Sequence, residues 1–248
     1  MTDADTTIIL LRHGRTEWNQ LGKLQGACDS PLLPESLNSA RASGARLRAS
    51  RYGSKVTAVY TSPIPRASRT AGLVVEGLGR PGLAPRPRDG LRERSFGGWE
   101  GKSWGQIERE APDELAAYQR DREWVIPGGG ESSAGAGRRF VGAMTAIAAA
   151  HAGETVVVVT HSNAMSQFMT AMLRIEPGVD RAYALENDAI NVVVWRAEKR
   201  RFHLELWGDR GQFAAAPAPL RARVERGGLV ALGIALGFVA GRHRWLRS

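Results

Sequence analysis

The sequence predicts a three-layer α/β sandwich, with a mostly parallel sheet flanked by helices. Three observations predict it. Short runs of β-branched and aliphatic residues recur along the chain, segments of helical period separate them, and turn residues mark the junctions. In such sheets ligands bind beyond the carboxyl ends of the strands. Two of the runs end there in histidine-containing turns.

Taken in order, Thr7–Leu11 is a buried strand that stops at charged Arg12. Leu37–Ser50, rich in Ala, Arg and Leu, reads as the first long helix. Val56–Thr61 is the second strand, punctuated by Pro63 and Pro65, and Arg66–Glu76 is the helix after that proline turn. Pro85–Arg88 and Val125–Ser133 read as loops, the second carrying Pro127 and three successive glycines. A helix starts near Ser132, with apolar residues at helical spacing over Arg138–Ala150. Thr155–Thr160 is the strongest strand, and a further helix begins near Asn163. Asn191–Trp195 and Phe202–Trp207 complete the set of strands.

Composition narrows the class without naming a function. The 248 residues are 43% hydrophobic and 24% charged, which excludes disordered, collagen-like and disulfide-scaffold proteins. Cys28 is the sole cysteine, so neither an internal disulfide nor a multi-cysteine zinc site is available. The net charge of +9 is uneven: residues 221–248 hold six arginines against one glutamate, which is +5 of the total. No nucleic-acid partner is expected, because the basic tail carries only Trp245 as a stacking platform.

The expected organisation is a catalytic domain over residues 1–212, a linker over 213–226 marked by Pro217 and Pro219, and a tail over 227–248. Asp3 and Asp5 in an otherwise short apolar start argue against a secretory signal, so the expected location is cytoplasmic. Residues 227–241, GGLVALGIALGFVAG, form an uncharged stretch flanked by Arg221, Arg223, Arg226 and by Arg242, Arg244, Arg247. As a helix it would reach about 22 Å, against a hydrocarbon core of about 30 Å. Two readings fit: membrane association through a short anchor with snorkelling arginines, or a tail that is docked on the catalytic domain or disordered. Composition sets no oligomeric state.

Arg12-His13-Gly14 closes the first strand and Thr160-His161-Ser162 closes the valine-rich one. Extended to Arg12-His13-Gly14-Arg15-Thr16-Glu17-Trp18-Asn19, the first turn resembles the R-H-G-x-T-x-x-N motif of the histidine phosphatase superfamily, the phosphoglycerate-mutase-like family. Further matches follow in the family's order. Gln25-Gly26 with Asp29-Ser30-Pro31-Leu32 is similar to its Q-G-x-x-D-x-P-L loop, and Ser62-Pro63 through Arg66-Ala67 to Thr70-Ala71 resembles its S-P-x-x-R-A-x-x-T-A helix start. Leu91-Arg92-Glu93 with Phe96-Gly97-Gly98-Trp99-Glu100-Gly101 resembles the acid-bearing motif, and Thr160-His161 the second histidine. The resemblance covers about residues 7–210.

The chemistry of these residue types agrees with it. A phosphomonoester carries close to two negative charges, so its transfer needs a charge clamp, an in-line nucleophile and an acid for the leaving group. Arg12 and Arg66 supply permanently charged, forked donors for the clamp. Neutral His13 attacks phosphorus, His161 donates to the phosphoryl oxygens, and Glu93 protonates the leaving oxygen and later accepts a proton from water. By resemblance, Asn19, the backbone near Gln25-Gly26, and Ser162 add substrate contacts; helix capping is the rival role for Asn19. No metal and no cofactor is expected, since two arginines do the neutralising and no carboxylate cluster is present.

Three features depart from the family pattern. Ser162 stands where many members have glycine, Pro34-Glu35-Ser36-Leu37 replaces the usual E-x-G start of the first helix, and Gly128-Gly129-Gly130-Glu131-Ser132 has one extra glycine. That last stretch is not a nucleotide loop, since neither G-x-x-x-x-G-K nor G-x-G-x-x-G after a strand occurs. The expected function is a metal-independent phosphatase for a small phosphorylated metabolite. The alternative is a 2,3-bisphosphoglycerate-dependent mutase, whose longer insertion is missing between Glu93 and His161. A non-catalytic binding protein on the same fold is disfavoured by the presence of all five central residues.

Overall fold

The computed structural model describes residues 4–175 and 185–211, all within the unit Met1–Phe213. In chain order the elements are β1 (Thr6–Arg12), α1 (Glu17–Gln20), α2 (Pro34–Ala49), β2 (Val56–Thr61), α3 (Pro65–Leu78), β3 (Pro85–Pro87), α4 (Trp104–Glu110), α5 (Pro112–Arg120), α6 (Ser133–Ala150), β4 (Thr155–Thr160), α7 (Ser162–Leu173), β5 (Ile190–Arg196) and β6 (Arg201–Asp209). The strands form one sheet in the order β3-β2-β4-β1-β5-β6. The first four are mutually parallel, while β5 and β6 are antiparallel to their neighbours.

The continuous apolar runs are explained by burial on both faces of the sheet. Ile8, Leu10, Val156 and Val158 point to one side, against Phe140, Met144, Met165 and Phe168 of α6 and α7. Ile9, Leu11, Val157 and Val159 point to the other, against Leu47, Ala67, Ala71 and Val74 of α2 and α3. Alternate residues of a strand thus serve opposite cores. On the second face α2 and α3 cross at glycines. A Cβ at Gly44 would lie 2.1 Å from the Val74 carbonyl oxygen, and one at Gly77 would lie 2.0 Å from that of Arg41.

The segment between Glu93 and α6 builds a third, smaller cluster around Phe96, Trp99, Ile107 and Ile126. The expectation of a loop over Pro85–Arg88 is corrected: Pro85–Pro87 is strand β3. Proline lacks the ladder donor, and the position is tolerated because β3 is the outermost strand of its side of the sheet. Two helices begin before the expected residue, because proline takes their first turn: α2 at Pro34 and α3 at Pro65. The helix expected near Ser132 is α6, which starts at Ser133 behind the Ser132 cap, whose side chain accepts from Gly135 N. Among the described residues no helix is long and apolar enough to cross a membrane. The expected linker over 213–226 and the apolar stretch over 227–241 lie outside the described residues.

Candidate active site

Three neighbouring parallel strands, β2, β4 and β1, deliver Ser62, His161 and His13 at their carboxyl ends. The sheet ladder continues just past them, with His13 N donating to Thr160 O at 2.9 Å and Ser62 N to Val159 O at 3.0 Å. The two imidazole rings lie 5.1 Å apart between centroids and are both buried. Parallel register therefore brings together two histidines 148 positions apart in the chain.

His13 is oriented from both ends of its ring. Its Nδ1 lies 2.7 Å from the Gly14 carbonyl oxygen, which can only accept, so Nδ1 carries the proton and Nε2 presents a lone pair. Arg66 Nε donates to that lone pair at 3.3 Å. Burial holds the His13 pKa well below its ordinary 6.5, with the charges of Arg66 and Arg12 acting in the same direction. A neutral ring is the form with a lone pair to give.

Arg66, 2% exposed, lies in the first turn of α3, just inside Pro65. Its Nη1 donates to Cys28 O at 2.6 Å and to Asp29 Oδ1 at 3.3 Å, and its Nη2 donates to Gly26 O at 2.9 Å. The loop over Gln25–Asp29 thus anchors the guanidinium through its own carbonyls. Gly26 has φ +55, and a Cβ there would lie 2.1 Å from Glu100 Oε1, so this turn requires glycine. Glu100 accepts from Ala27 N at 2.9 Å, Cys28 N at 3.2 Å and Phe96 N at 2.9 Å, and so ties that loop to the acid-bearing motif.

Glu93 is held at the start of α7. Its carboxylate accepts from Arg94 N at 2.9 Å, and from Ala164 N at 2.9 Å and Asn163 N at 3.1 Å, the last two being donors that the first turn of α7 leaves free. Burial lowers the Arg66 pKa, and Glu93 is the first of the nearby charges that oppose the effect. The acid loop is braced from α6 as well: Arg139 donates to Gly90 O at 3.1 Å and Arg92 O at 3.0 Å while paired with Glu131 at 2.6 Å. Thr160 Oγ1 donates to Leu91 O at 2.8 Å from the end of β4.

The structure therefore gathers Arg12, His13, Gly26, Arg66, Glu93 and His161, with Ser162 opening α7 directly after His161. Serine in place of glycine there causes no strain, because Ser162 is not among the positive-φ residues. Arg12 donates from Nη1 to Leu185 O at 2.8 Å. Asn19 takes part in capping, at the third helical position behind the Thr16 N-cap. It is the third residue of a capping box, accepting from Thr16 N at 3.2 Å and, like the Thr16 side chain, supporting α1. Only its amide nitrogen is left to reach a substrate. Gln25 is buried, and its Oε1 has no partner among the described residues.

Sequence reasoning missed the supporting residues. Thr70 Oγ1 accepts from Gly14 N at 3.1 Å and donates to Arg66 O at 2.7 Å, linking both motifs. Asn187 Nδ2 donates to the His13 carbonyl oxygen. The signal for Thr70 lay in the S-P-x-x-R-A-x-x-T-A match; Asn187, 174 positions from His13, gave none.

Comparison with known proteins agrees with this geometry. A sequence model of the histidine phosphatase superfamily (branch 1) matches residues 8–210, and the chain belongs to that family. It is 35% identical over 207 residues to a metal-independent phosphoserine phosphatase of Arabidopsis thaliana, covering 82% of each chain. It is 31% identical over 173 residues to a 2,3-bisphosphoglycerate-dependent phosphoglycerate mutase of Brucella melitensis, covering 69% of this chain and 83% of the relative. Among solved structures, a mycobacterial glucosyl-3-phosphoglycerate phosphatase complexed with VO3 superposes with a TM-score of 0.67 at 26% identity, over 82% of this chain and 98% of the other.

Proposed function

We propose that the chain is a metal-independent phosphomonoesterase that hydrolyses a small phosphorylated metabolite through phospho-His13. The observation that carries this reading is the state of His13. Its proton is fixed on Nδ1 by the Gly14 carbonyl, its Nε2 lone pair meets the Arg66 guanidinium, and the charge of Arg12 is also near. In the first half-reaction Nε2 forms the bond to phosphorus as the ester P–O bond breaks, and Glu93 gives a proton to the departing oxygen. In the second, water attacks phosphorus, the P–N bond breaks, and Glu93 takes the water's proton. Arg12, Arg66 and His161 stabilise the charge on the equatorial oxygens in both. Backbone at Gly26, the start of α7 at Ser162, Gln25 and the Asn19 amide are proposed as further contacts.

The relatives support a phosphatase on a small metabolite, one being a phosphoserine phosphatase and another a glucosyl-3-phosphoglycerate phosphatase. The mutase relative favours a second reading, in which phospho-His13 returns the group to the same substrate. A panel of phosphomonoesters assayed with and without EDTA tests the first reading: turnover is expected to survive chelation. Loss on EDTA with recovery on Mg²⁺ contradicts it, and strong stimulation of phosphoglycerate interconversion by 2,3-bisphosphoglycerate selects the second.

We further propose a cytoplasmic enzyme tethered to a membrane through residues 227–241, supported by that uncharged stretch lying between two arginine clusters. Intact protein is then expected to pellet with membranes and resist alkaline carbonate, while a chain ending at Pro219 stays in the supernatant with equal activity. Full-length protein wholly in the supernatant removes the tether.

A further inference from the structure

We propose that Ser62 is a positioning residue that fixes which ring nitrogen of His161 carries the proton, and so makes that histidine a hydrogen-bond donor to the phosphoryl group. The inference rests on the reading of His161 as a phosphoryl contact and adds the device that sets it. Ser62 follows β2 as His161 follows the adjacent β4, and both are 0% exposed. Ser62 Oγ lies 2.7 Å from His161 Nε2 and already accepts from Ile64 N–H at 3.2 Å.

The proton count follows from these contacts. A serine hydroxyl has one proton to give, and His161 Nε2 is the acceptor it meets among the described residues. A ring nitrogen that accepts carries no proton itself. Burial, with the charges of Arg66, His13 and Arg12, holds the His161 pKa well below 6.5, so the ring is neutral and its single proton resides on Nδ1. That Nδ1 is buried and has no protein partner among the described residues. A buried N–H left unpaired is costly, so the free protein keeps a donor in reserve. A phosphoryl oxygen bound beside His13, whose ring centroid is 5.1 Å away, is an acceptor of the right charge for it. The opposite tautomer would turn a lone pair toward an anion. No proton moves between Ser62 and His161 in either half-reaction.

The tautomer is read directly by NMR of the full-length protein carrying ¹⁵N-labelled histidine. The wild type is expected to show His161 protonated on Nδ1, and Ser62→Ala to show it shifted to Nε2 or divided between the two. With an activated aryl phosphate as probe, Ser62→Ala is expected to lose about tenfold to a hundredfold in kcat with KM little changed, since a donor made strongest in the transition state is lost. Ser62→Cys, a weak donor of similar shape, falls between. An Nε2–H signal in the wild type, or an unchanged tautomer in Ser62→Ala, overturns the proposal. Should Ser62→Ala fail to fold, the wild-type spectrum still decides. A wild-type protein that shows the Nδ1–H tautomer, loses it in Ser62→Ala and yet has no phosphatase activity would contradict the proposed function alone.

Discussion

At the residue scale, each central side chain is oriented by a neighbour that the linear sequence does not place beside it. The motif residues themselves, Arg12, His13, Arg66, Glu93 and His161, were legible because their types match the needs of phosphoryl transfer and their order matches the family. Their partners were not. Glu93 is held by N–H groups of residues 70 and 71 positions away, and nothing local in the sequence marks that docking. Asn19 is a residue whose type suits both capping and substrate contact, and its Oδ1 is taken up by the capping box. Glu93→Gln keeps a side chain of similar size but cannot donate an acid proton, so it is expected to slow alkyl phosphates by about 10²–10⁴-fold and activated aryl phosphates far less. Paired kcat/KM values on the two substrate types check this, and equal slowing of both would remove Glu93 from the acid role.

At the element scale, strands were read to within a residue or two of their ends because burial on both faces leaves long apolar runs. The missed β3 carries two prolines, which argue against a strand anywhere except an edge, and edge position is a property of the assembled sheet. Helices α4 and α5 were also missed, since they pack on the small aromatic cluster around Trp99 rather than on the main core and show no clean apolar stripe. The crossing of α2 and α3 yields a quantitative expectation. Gly44→Ala places a methyl group 2.1 Å from the Val74 carbonyl oxygen, a fixed backbone atom. The helices must separate, with an expected loss of about 1–3 kcal/mol in a denaturant titration. The α3 shift should also move Arg66, lowering activity before global unfolding. A variant as stable as the parent would mean that the crossing is looser than the structure shows.

At the scale of the whole molecule, the price of the site is stability at low pH. His13 and His161 have pKa values held well below 6.5 in the folded state, whereas in the unfolded chain they titrate near 6.5. Between those values the unfolded chain binds more protons, so their contribution to stability is intact above pH 6.5 and is lost as pH falls below it. Two such groups impose a slope of up to about 2.7 kcal/mol per pH unit. Denaturant midpoints at successive pH values below neutrality check this, and a variant with both histidines replaced by glutamine is expected to flatten the decline. An identical decline in that variant would assign the acid sensitivity to other groups. The same shifts predict that the acid limb of kcat/KM lies below the ordinary imidazole range.

The central claim is that His13 Nε2 becomes covalently phosphorylated during turnover, and rapid quenching tests it most directly. Wild-type protein mixed with a radiolabelled phosphomonoester, stopped with alkali and digested, is expected to yield a labelled peptide containing His13, with label that is stable to alkali and labile to acid. His13→Ala is expected to give no label and no turnover, because the proposed nucleophile is removed. Undiminished turnover in His13→Ala, or wild-type turnover with label on another residue, would contradict the account.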